Sequence, residues 1–195
     1  MYRREMFQNV IAVSNRKLCT RPFLEQIEIV CQYRPQALIL REKDLSEKEY
    51  AILGEETAQI CRKYSVPCIY HTFYEEAQRV GIKNIHLPLW KLRELSMSGR
   101  QEEFEQIGTS IHSVEEAQEA EKLGASYITA GHIFQTDCKP DLKPRGLEFL
   151  KKVCNSVSVP VYAIGGIHLE KQQLAEIHGA GAKGACIMSA LMKIS

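Results

Sequence analysis

The sequence predicts a (β/α)8 barrel, in which eight parallel strands alternate with helices and close into a cylinder. Two observations support this fold. Short apolar runs recur about every 24 residues, since eight of them share 195 residues. Stretches with helical apolar spacing separate these runs, and such alternation is typical of parallel sheets. The length suits a single domain over 1–195, at or just below the usual lower limit of about 200 residues for this fold.

Each predicted strand is a short apolar run with a polar residue or a turn residue after it. The eight runs, in order, are 9–13, 37–40, 67–70, 84–87, 105–109, 127–130, 159–164 and 184–188. A doubly wound open sheet is the alternative fold. It would require two of these strands to be wrong, and 84–87 and 105–109 are the weakest.

Two of the predicted helices begin with a capping box, in which a serine and a glutamate three residues later satisfy each other's backbone N–H groups. Ser46 with Glu49 opens a helix that reaches about Tyr64, and Ser113 with Glu116 opens another that ends at Gly124. The other helices are predicted over 23–31, 72–80 with Thr72 as the cap, 91–95, 147–154 and 169–177.

Composition excludes several classes of function. The 25 basic and 24 acidic residues give a net charge of +1, whereas nucleic-acid and membrane surfaces usually show a basic excess. The N-terminus lacks the apolar core of a signal peptide, and no stretch is long enough to span a bilayer. The seven cysteines form no C-x-x-C pair, which argues against disulfides and zinc. We therefore expect a cytoplasmic protein with buried, reduced thiols.

The stretch from Tyr127 to Lys139 carries the strongest functional signal. Its apolar start predicts a buried strand, and Gly131 allows the backbone to approach a ligand closely. His132 supplies a group that takes or gives a proton near neutral pH, and Lys139 can neutralise an anion. The alternative is a loop whose histidine is merely exposed. Cys138 lies in the same loop and offers a thiol, although a reactive role for it is the weaker hypothesis.

In a barrel, the residues that act on substrate lie at the C-terminal ends of the strands. Loops after strands 7 and 8 commonly bind phosphate, so Gly165-Gly166 and Met188-Ser189 predict a phosphate site. The other polar residues at strand ends are Arg41, Glu42, Lys43, His71, His86, His112, His132 and Lys139. A salt bridge at the barrel mouth is an equal alternative for Arg41 and Glu42. For His71, His86 and His112, a structural role is favoured.

Several of these motifs together resemble the thiamin phosphate synthase and TenI superfamily over nearly the whole chain. The resemblance is carried by Arg41-Glu42-Lys43, Ile107 to Ala117, Gly131 to Lys139, Ala163-Ile-Gly-Gly-Ile167 and Met188-Ser189, in the order of the superfamily. It implies a barrel enzyme of thiamin biosynthesis that acts on a small phosphorylated thiazole. The superfamily also suggests a homodimer.

Departures from the synthase pattern indicate the branch. Synthases join a pyrimidine diphosphate to a thiazole phosphate, and they hold the diphosphate through magnesium with an Asn-Asp pair after strand 3 and an aspartate after strand 4. This chain has His71-Thr72 in place of the Asn-Asp pair. After strand 4 it has Pro-Leu-Trp-Lys at 88–91, without an aspartate. Where synthases carry Gly-Pro it has Gly131-His132. The loop therefore looks like that of the TenI branch, which are thiazole tautomerases.

The TenI resemblance implies an isomerase that shifts a proton to aromatise the thiazole carboxylate phosphate, with no metal and no cofactor. His132 would be the catalytic acid/base. Gly165, Gly166, Met188 and Ser189 would hold the phosphate, while Thr136, Cys138 and Lys139 would line the thiazole. Arg41 and Lys43 are our own candidates for the substrate carboxylate.

Two other functions stay open at this point. The first is a synthase-like transferase, which predicts magnesium dependence. The second is a non-catalytic regulatory protein that binds thiazole phosphate. The polar segment 96–105 is a further open question, because it is a candidate for a lid over the site.

Overall fold

The eight strands hydrogen-bond in chain order and close into a parallel barrel in the computed structural model, which describes residues 4–136 and 140–195. The predicted fold class is confirmed, and the doubly wound open sheet is wrong. Each strand lies within two residues of its predicted position. The strands are β1 Val10–Val13, β2 Ala37–Leu40, β3 Cys68–His71, β4 Asn84–Pro88, β5 Gln106–Ile111, β6 Tyr127–Gly131, β7 Val161–Ile164 and β8 Gly184–Ile187.

Within the described residues, seven α-helices lie between the strands. They are α1 Phe23–Gln32, α2 Glu47–Lys63, α3 Tyr74–Arg79, α4 Leu89–Ser98, α5 Val114–Lys122, α6 Gly146–Ser156 and α7 Lys171–Gly179. Single 3-10 turns lie at Arg4–Phe7, Arg16–Leu18, Gln101–Glu103 and Leu191–Lys193.

The main difference from the predicted helices is α4, which is twice as long as the predicted 91–95. It runs over Leu89–Ser98 and ends at Gly99, whose φ of 70° lies in the left-handed region that favours glycine. The segment 96–105 thus contains the last turn of this helix, a 3-10 turn and the buried ring of Phe104. That it covers the site stays a prediction.

Of the three predicted helix caps, one is confirmed in full, one is confirmed in part and one is wrong. Ser46 and Glu49 form the complete box. Ser113 Oγ accepts from Glu116 N at 3.1 Å, but the Glu116 carboxylate accepts instead from the backbone N–H of His112 at 2.6 Å. The prediction that Thr72 caps α3 is wrong, because Phe73 occupies the N-cap position and α3 begins at Tyr74.

The chain folds into two compact units, and the first contains the residues up to His86 together with Ile187–Ser195. At its centre is Tyr50 of α2, whose hydroxyl donates to Leu40 O at 2.7 Å and accepts from His71 N at 3.0 Å. Since Leu40 ends β2 and His71 ends β3, one buried side chain ties both strand ends to the helix layer. The C-terminal turn is held through Gln26, whose Nε2 donates to Leu191 O at 2.9 Å.

The second unit spans Leu87–Cys186. Thr109 Oγ1 donates to Leu87 O at 2.8 Å inside its buried core. The ring of Tyr127 lies over the backbone of Gly108, where a Cβ would collide with the ring carbons. Tyr162 meets Tyr127 edge to face at 5.9 Å between ring centroids. A glycine in β5 is therefore explained by packing against the neighbouring strand.

The described cysteines are free thiols, as expected. Cys31 and Cys61 are buried between α1 and α2 with their Sγ atoms 3.9 Å apart. Their mutual contact and burial raise the pKa of the Cys31 thiol well above its ordinary value. None of the helices within the described residues has the length and apolar character needed to cross a membrane.

Candidate functional site

The first unit brings together five side chains at the ends of three neighbouring strands, which we call the β2–β4 cluster: Arg41, Lys43, His71, Thr72 and His86. Leu40 of β2 pairs with Tyr70 of β3, and His71 pairs with His86 of β4. Arg41 follows Leu40 directly, so Arg41, His71 and His86 lie side by side at one level of the sheet. The sequence predicted these residues separately, and the strand register places them together.

The two histidines of the cluster are buried. His71 is 5% exposed and His86 is 2% exposed, and their rings stack with 5.5 Å between centroids. Tyr70 packs against Gly54 of α2, so it points to the helix layer. Side chains alternate along a strand, so His71 points to the other side, into the barrel.

The environment of His86 keeps its imidazole uncharged. Burial, and then the positive charges of Lys43 and Arg41, lower the pKa of His86 to about 3 from its ordinary value of 6.5. At neutral pH the ring is therefore a neutral group with one N–H donor and one acceptor nitrogen. The charge in this part of the cluster comes from Arg41 and Lys43.

Thr72 has an unusual backbone conformation. Its φ of 71° lies in the left-handed region, where a β-branched residue is a genuine outlier. Its N–H donates to His86 O at 3.0 Å, and its Oγ1 lies 2.6 Å from His71 Nδ1. Strained residues of this kind cost about 1–3 kcal/mol and concentrate at functional sites. The strain at Thr72 is thus held in place by contacts to both histidines.

Glu42 takes part in a salt bridge, as the structural hypothesis predicted, but its partner is Arg16 and not Arg41. The Glu42 carboxylate is buried, and it accepts from Ser14 Oγ at 2.7 Å and from Arg16 Nη1 at 3.1 Å. Arg16 also donates to the Asp44 carboxylate from Nη1 and from Nη2, at 2.6 and 2.9 Å. Ser14 and Arg16 were not among the predicted site residues, although both lie in the polar triplet Ser14-Asn15-Arg16 that directly follows β1.

Both acidic residues after β2 are therefore already neutralised. The Arg16 guanidinium, followed by the Lys17 ammonium, holds the pKa of Asp44 well below its usual range. Glu42 is fixed by the same guanidinium and by Ser14. Arg41, in contrast, contributes its backbone N–H to Ser14 Oγ at 2.8 Å, which fixes the start of the segment that carries the two cations.

Met188 and Ser189 also belong to the first unit and follow β8. Met188 Sδ lies 4.0 Å from Asn15 Nδ2, which donates to it from the end of β1. The carbonyl of Met188 accepts from Leu191 N and Met192 N, at 3.1 and 3.0 Å. Both residues are half-buried. Their proposed contact with phosphate stays a prediction.

His132 lies in the second unit, in the loop after β6, and is 7% exposed. Its Nε2 lies 3.1 Å from Leu142 O. A carbonyl can only accept, so we assign the proton to Nε2, and Nδ1 is then the nitrogen that can accept a hydrogen bond. The alternative of a merely exposed histidine is wrong, because the loop holds the ring in a buried position.

Gly165 and Gly166 have a packing role that does not involve a ligand. Their φ values are 101° and 67°, and a Cβ on Gly165 would collide with the Cβ of His132. A Cβ on Gly166 would lie 2.7 Å from Phe134 O and closer still to Gln135 O. The two glycines let the loop after β6 lie against the end of β7, where Phe134 N donates to Gly165 O at 3.0 Å. Phosphate binding at these glycines stays a prediction.

The remaining predicted residues are placed less fully. Thr136 is half-buried at the end of the first described range. Cys138 and Lys139 lie outside the described residues. His112 has an exposed side chain 3.6 Å from the Glu116 carboxylate, in keeping with the structural role favoured for it.

The closed parallel barrel places this chain in the class of (β/α)8 proteins, with arginine, lysine and histidine side chains at or near its strand ends. Comparison with known proteins narrows this class. The family described as thiamine monophosphate synthase (TMP-TENI) matches residues 10–191, and the chain belongs to this family.

Individual relatives agree with the family assignment. Thiamine-phosphate synthase from Fusobacterium nucleatum is 32% identical over 189 residues, which covers 94% of this chain and 88% of the relative. The protein of the same name from Syntrophomonas wolfei is 34% identical over 190 residues, covering 94% and 88%. The solved structure of thiamine phosphate pyrophosphorylase from Pyrococcus furiosus has a TM-score of 0.78 and 29% identity, covering 97% of this chain and 89% of that one.

These names correct the expected reaction. The sequence motif around His132 predicted an isomerase, and that prediction is wrong, because the relatives are named as synthases, which are transferases. The TenI interpretation rested on local departures at His71-Thr72, 88–91 and Gly131-His132, whereas the synthase relatives match over nearly the whole chain. The acid/base role of His132 was inferred from that reaction and stays an untested prediction.

Proposed function

We propose that the chain is a thiamine-phosphate synthase-like transferase that joins a pyrimidine diphosphate to a thiazole phosphate and releases diphosphate. The observation that carries this proposal is the agreement of relatives named thiamine-phosphate synthase over about nine-tenths of the chain. In the reaction, the bond between the pyrimidine carbon and the diphosphate breaks, and a bond from that carbon to the thiazole forms. The electron pair of the broken bond leaves with the diphosphate.

Arg41 and Lys43 support this chemistry by their position and charge. Negative charge builds up on the diphosphate as its bond to carbon breaks, and fixed positive charges stabilise it most at that stage. Arg41 is anchored through its N–H to Ser14, and the acidic neighbours Glu42 and Asp44 are occupied by Arg16. The two carboxylates next to Arg41 in the sequence are thus occupied by another cation, which supports an anionic ligand at Arg41 in this proposal.

The thiazole phosphate is assigned to Gly165, Gly166, Met188 and Ser189, as the family resemblance implies, with Thr136, Cys138 and Lys139 on the thiazole side. His132 has a positioning role in this proposal. The transfer replaces one bond to carbon by another and needs no proton shift on the thiazole ring, so the ring of His132 would orient the substrate through Nδ1.

The magnesium that the resemblance implies for synthases does not fit the residues present. Magnesium requires oxygen ligands in nearly octahedral arrangement. β3 ends at His71, β4 carries the imidazole of His86, and the carboxylates of Glu42 and Asp44 are bound to Arg16. Within the described part of the chain, no three His, Cys, Asp or Glu side chains are grouped as metal ligands. We therefore derive no step through a metal.

The experiment that tests the transferase is formation of thiamine phosphate by the purified protein from the two substrates, followed by 31P NMR of the released diphosphate. We expect product above the uncatalysed background. The Arg41→Gln variant should reduce the rate strongly. The Arg93→Gln variant is the control, because Arg93 is exposed on α4 and pairs with Glu119. Absence of product with wild-type protein under every condition would contradict the proposal.

A second candidate is a non-catalytic member of the TenI branch that binds thiazole phosphate. The observation that favours it is His71-Thr72 where synthases carry Asn-Asp. It predicts saturable binding of thiazole phosphate with no product formed on addition of the pyrimidine diphosphate, so the same assay separates the two candidates.

A further inference from the structure

We propose that Tyr50 is a positioning residue for the transfer reaction. Its hydroxyl holds the peptide group that precedes Arg41 and the backbone N–H of His71, and it thereby orients the ends of β2 and β3 toward the pyrimidine diphosphate. The part that this plays in the reaction rests on the proposed function. The contacts of the hydroxyl are a property of the first unit alone.

The peptide group between Leu40 and Arg41 is held at both of its polar ends by side-chain hydroxyls. Its carbonyl, Leu40 O, accepts from the Tyr50 hydroxyl at 2.7 Å. Its N–H, on Arg41, donates to Ser14 Oγ at 2.8 Å. Because a peptide group is planar, two contacts at opposite ends fix its orientation. That orientation sets the direction in which the chain leaves β2 at Arg41.

The same hydroxyl takes part in the last rung between β2 and β3. Leu40 pairs with Tyr70, and in a parallel ladder the carbonyl of Leu40 then faces the N–H of His71. His71 N donates to the Tyr50 hydroxyl at 3.0 Å, while the hydroxyl donates to Leu40 O. One oxygen atom of the helix layer therefore sets the spacing between the two strand ends.

The ring of Tyr50 is itself fixed in place. It is 0% exposed, and it meets the ring of Tyr70 edge on at 5.5 Å and the ring of Phe73 at 4.4 Å between centroids. Tyr70 precedes the pair His71-Thr72 and Phe73 follows it, so the ring packs against both sides of that pair. Burial raises the pKa of Tyr50 well above its ordinary value, so the hydroxyl keeps the proton that it donates.

Tyr70 offers a matched comparison in the same part of the core. Its ring is also 0% exposed, but its hydroxyl has no hydrogen-bond partner among the described residues. A change of tyrosine to phenylalanine keeps the ring and removes only the hydroxyl. At Tyr50 this change removes two contacts to the strand ends, whereas at Tyr70 it removes none that the described residues make.

The test is steady-state kinetics of Tyr50→Phe, with each substrate varied while the other is saturating. We expect the KM for the pyrimidine diphosphate to rise about tenfold or more, because misalignment of one charged contact costs at least that much. The KM for the thiazole phosphate should stay within about twofold, because that substrate is assigned to the loops after β7 and β8. Tyr70→Phe should behave like wild type.

A merely structural role for Tyr50 gives a different result. Partial unfolding lowers the fraction of active protein, which lowers kcat and leaves both KM values unchanged. Circular dichroism at the assay temperature measures how much of each variant is folded. An unchanged KM for the pyrimidine diphosphate in Tyr50→Phe, an equal rise in both KM values, or the same rise in Tyr70→Phe would overturn the inference.

Hydrogen exchange tests the contacts without any turnover. In Tyr50→Phe the N–H of His71 loses its acceptor, so peptides that cover 68–73 should exchange faster than in wild type and in Tyr70→Phe, as read by mass spectrometry. Equal exchange in all three proteins would overturn the inference.

The proposed function can fail separately. If wild-type protein forms no thiamine phosphate, the transferase is contradicted, and titration calorimetry with the pyrimidine diphosphate then decides on Tyr50. Binding that is about tenfold weaker in Tyr50→Phe than in Tyr70→Phe would support the positioning role. Equal binding in the two variants, or none in wild type, would overturn it.

Discussion

Removal of the Glu42 carboxylate should destabilise the protein far more than removal of the neighbouring Asp44 carboxylate, although both contact Arg16. Glu42 is 3% exposed and accepts hydrogen bonds from Ser14 Oγ and from the backbone and guanidinium of Arg16. Hydrogen bonds to a buried charge contribute about 1.5–3 kcal/mol each. Arg16 keeps Asp44 and some water in the variant, so we expect Glu42→Ala to cost about 3 kcal/mol in the free energy of unfolding.

Asp44 provides the matched control. Its side chain is 42% exposed and that of Arg16 is 29% exposed, so their pair is largely a surface ion pair. Such pairs contribute about 0–1 kcal/mol. We therefore expect Asp44→Ala to destabilise the protein much less than Glu42→Ala does.

Urea unfolding followed by circular dichroism at pH 7 measures both changes. Thermal unfolding should show a loss of about 6–12 °C for Glu42→Ala, because 1 kcal/mol shifts the Tm of a protein of this size by about 2–4 °C. Equal effects of the two variants would refute the reasoning. That result would mean that the Glu42 carboxylate is not bound by Ser14 and Arg16.

Three further predictions concern pH, the loop after β6 and the thiols. The pKa of His86 falls from 6.5 unfolded to about 3 folded, under burial and the charges at Arg41 and Lys43, so the unfolded chain binds the extra proton between these values. The stability that neutral His86 contributes is therefore fully present above pH 6.5 and is lost as the pH falls. Between pH 7 and 5, the free energy of unfolding of wild type should fall by about 2 kcal/mol more than that of His86→Gln, at about 1.4 kcal/mol per pH unit, as measured by urea titrations. Gly166→Ala should lower the Tm clearly more than Gly146→Ala, because both have positive φ but only the first places a Cβ against backbone carbonyls; similar losses would contradict the proposed close approach. Buried Cys31 and Cys61 should resist a thiol-labelling reagent until urea unfolds the protein, and rapid labelling of either in native protein, read by mass spectrometry, would refute their burial.

The fold was predictable because each strand is buried on both faces. Such strands appear in the sequence as short apolar runs, and runs such as Ala37–Leu40 and Tyr127–Gly131 lie where they were predicted. The helix α3 was less predictable. Its start depends on the left-handed backbone of Thr72, which is fixed by contacts to His71 and His86 and leaves no local signal.

The site was predicted only as separate residues. The sequence shows that polar side chains lie in or directly after β2, β3 and β4. It does not show that the partner of Glu42 is Arg16, 26 positions earlier, because only the pairing of strands brings these two residues together. Gly165-Gly166 indicated phosphate from the sequence, while the structure shows the close approach of the loop that carries His132. The predicted isomerase was wrong because short local departures from the synthase pattern do not determine the reaction, and the relatives that match over the whole chain are named as synthases.

The most direct test of the proposed chemistry is the transferase assay in two buffers, one with EDTA and one with magnesium chloride, with thiamine phosphate and released diphosphate quantified by 31P NMR. We expect product in both buffers at rates within about threefold of each other, because the proposed function assigns the diphosphate to Arg41 and Lys43 and not to a metal. No thiamine phosphate in either buffer would contradict the proposed transferase.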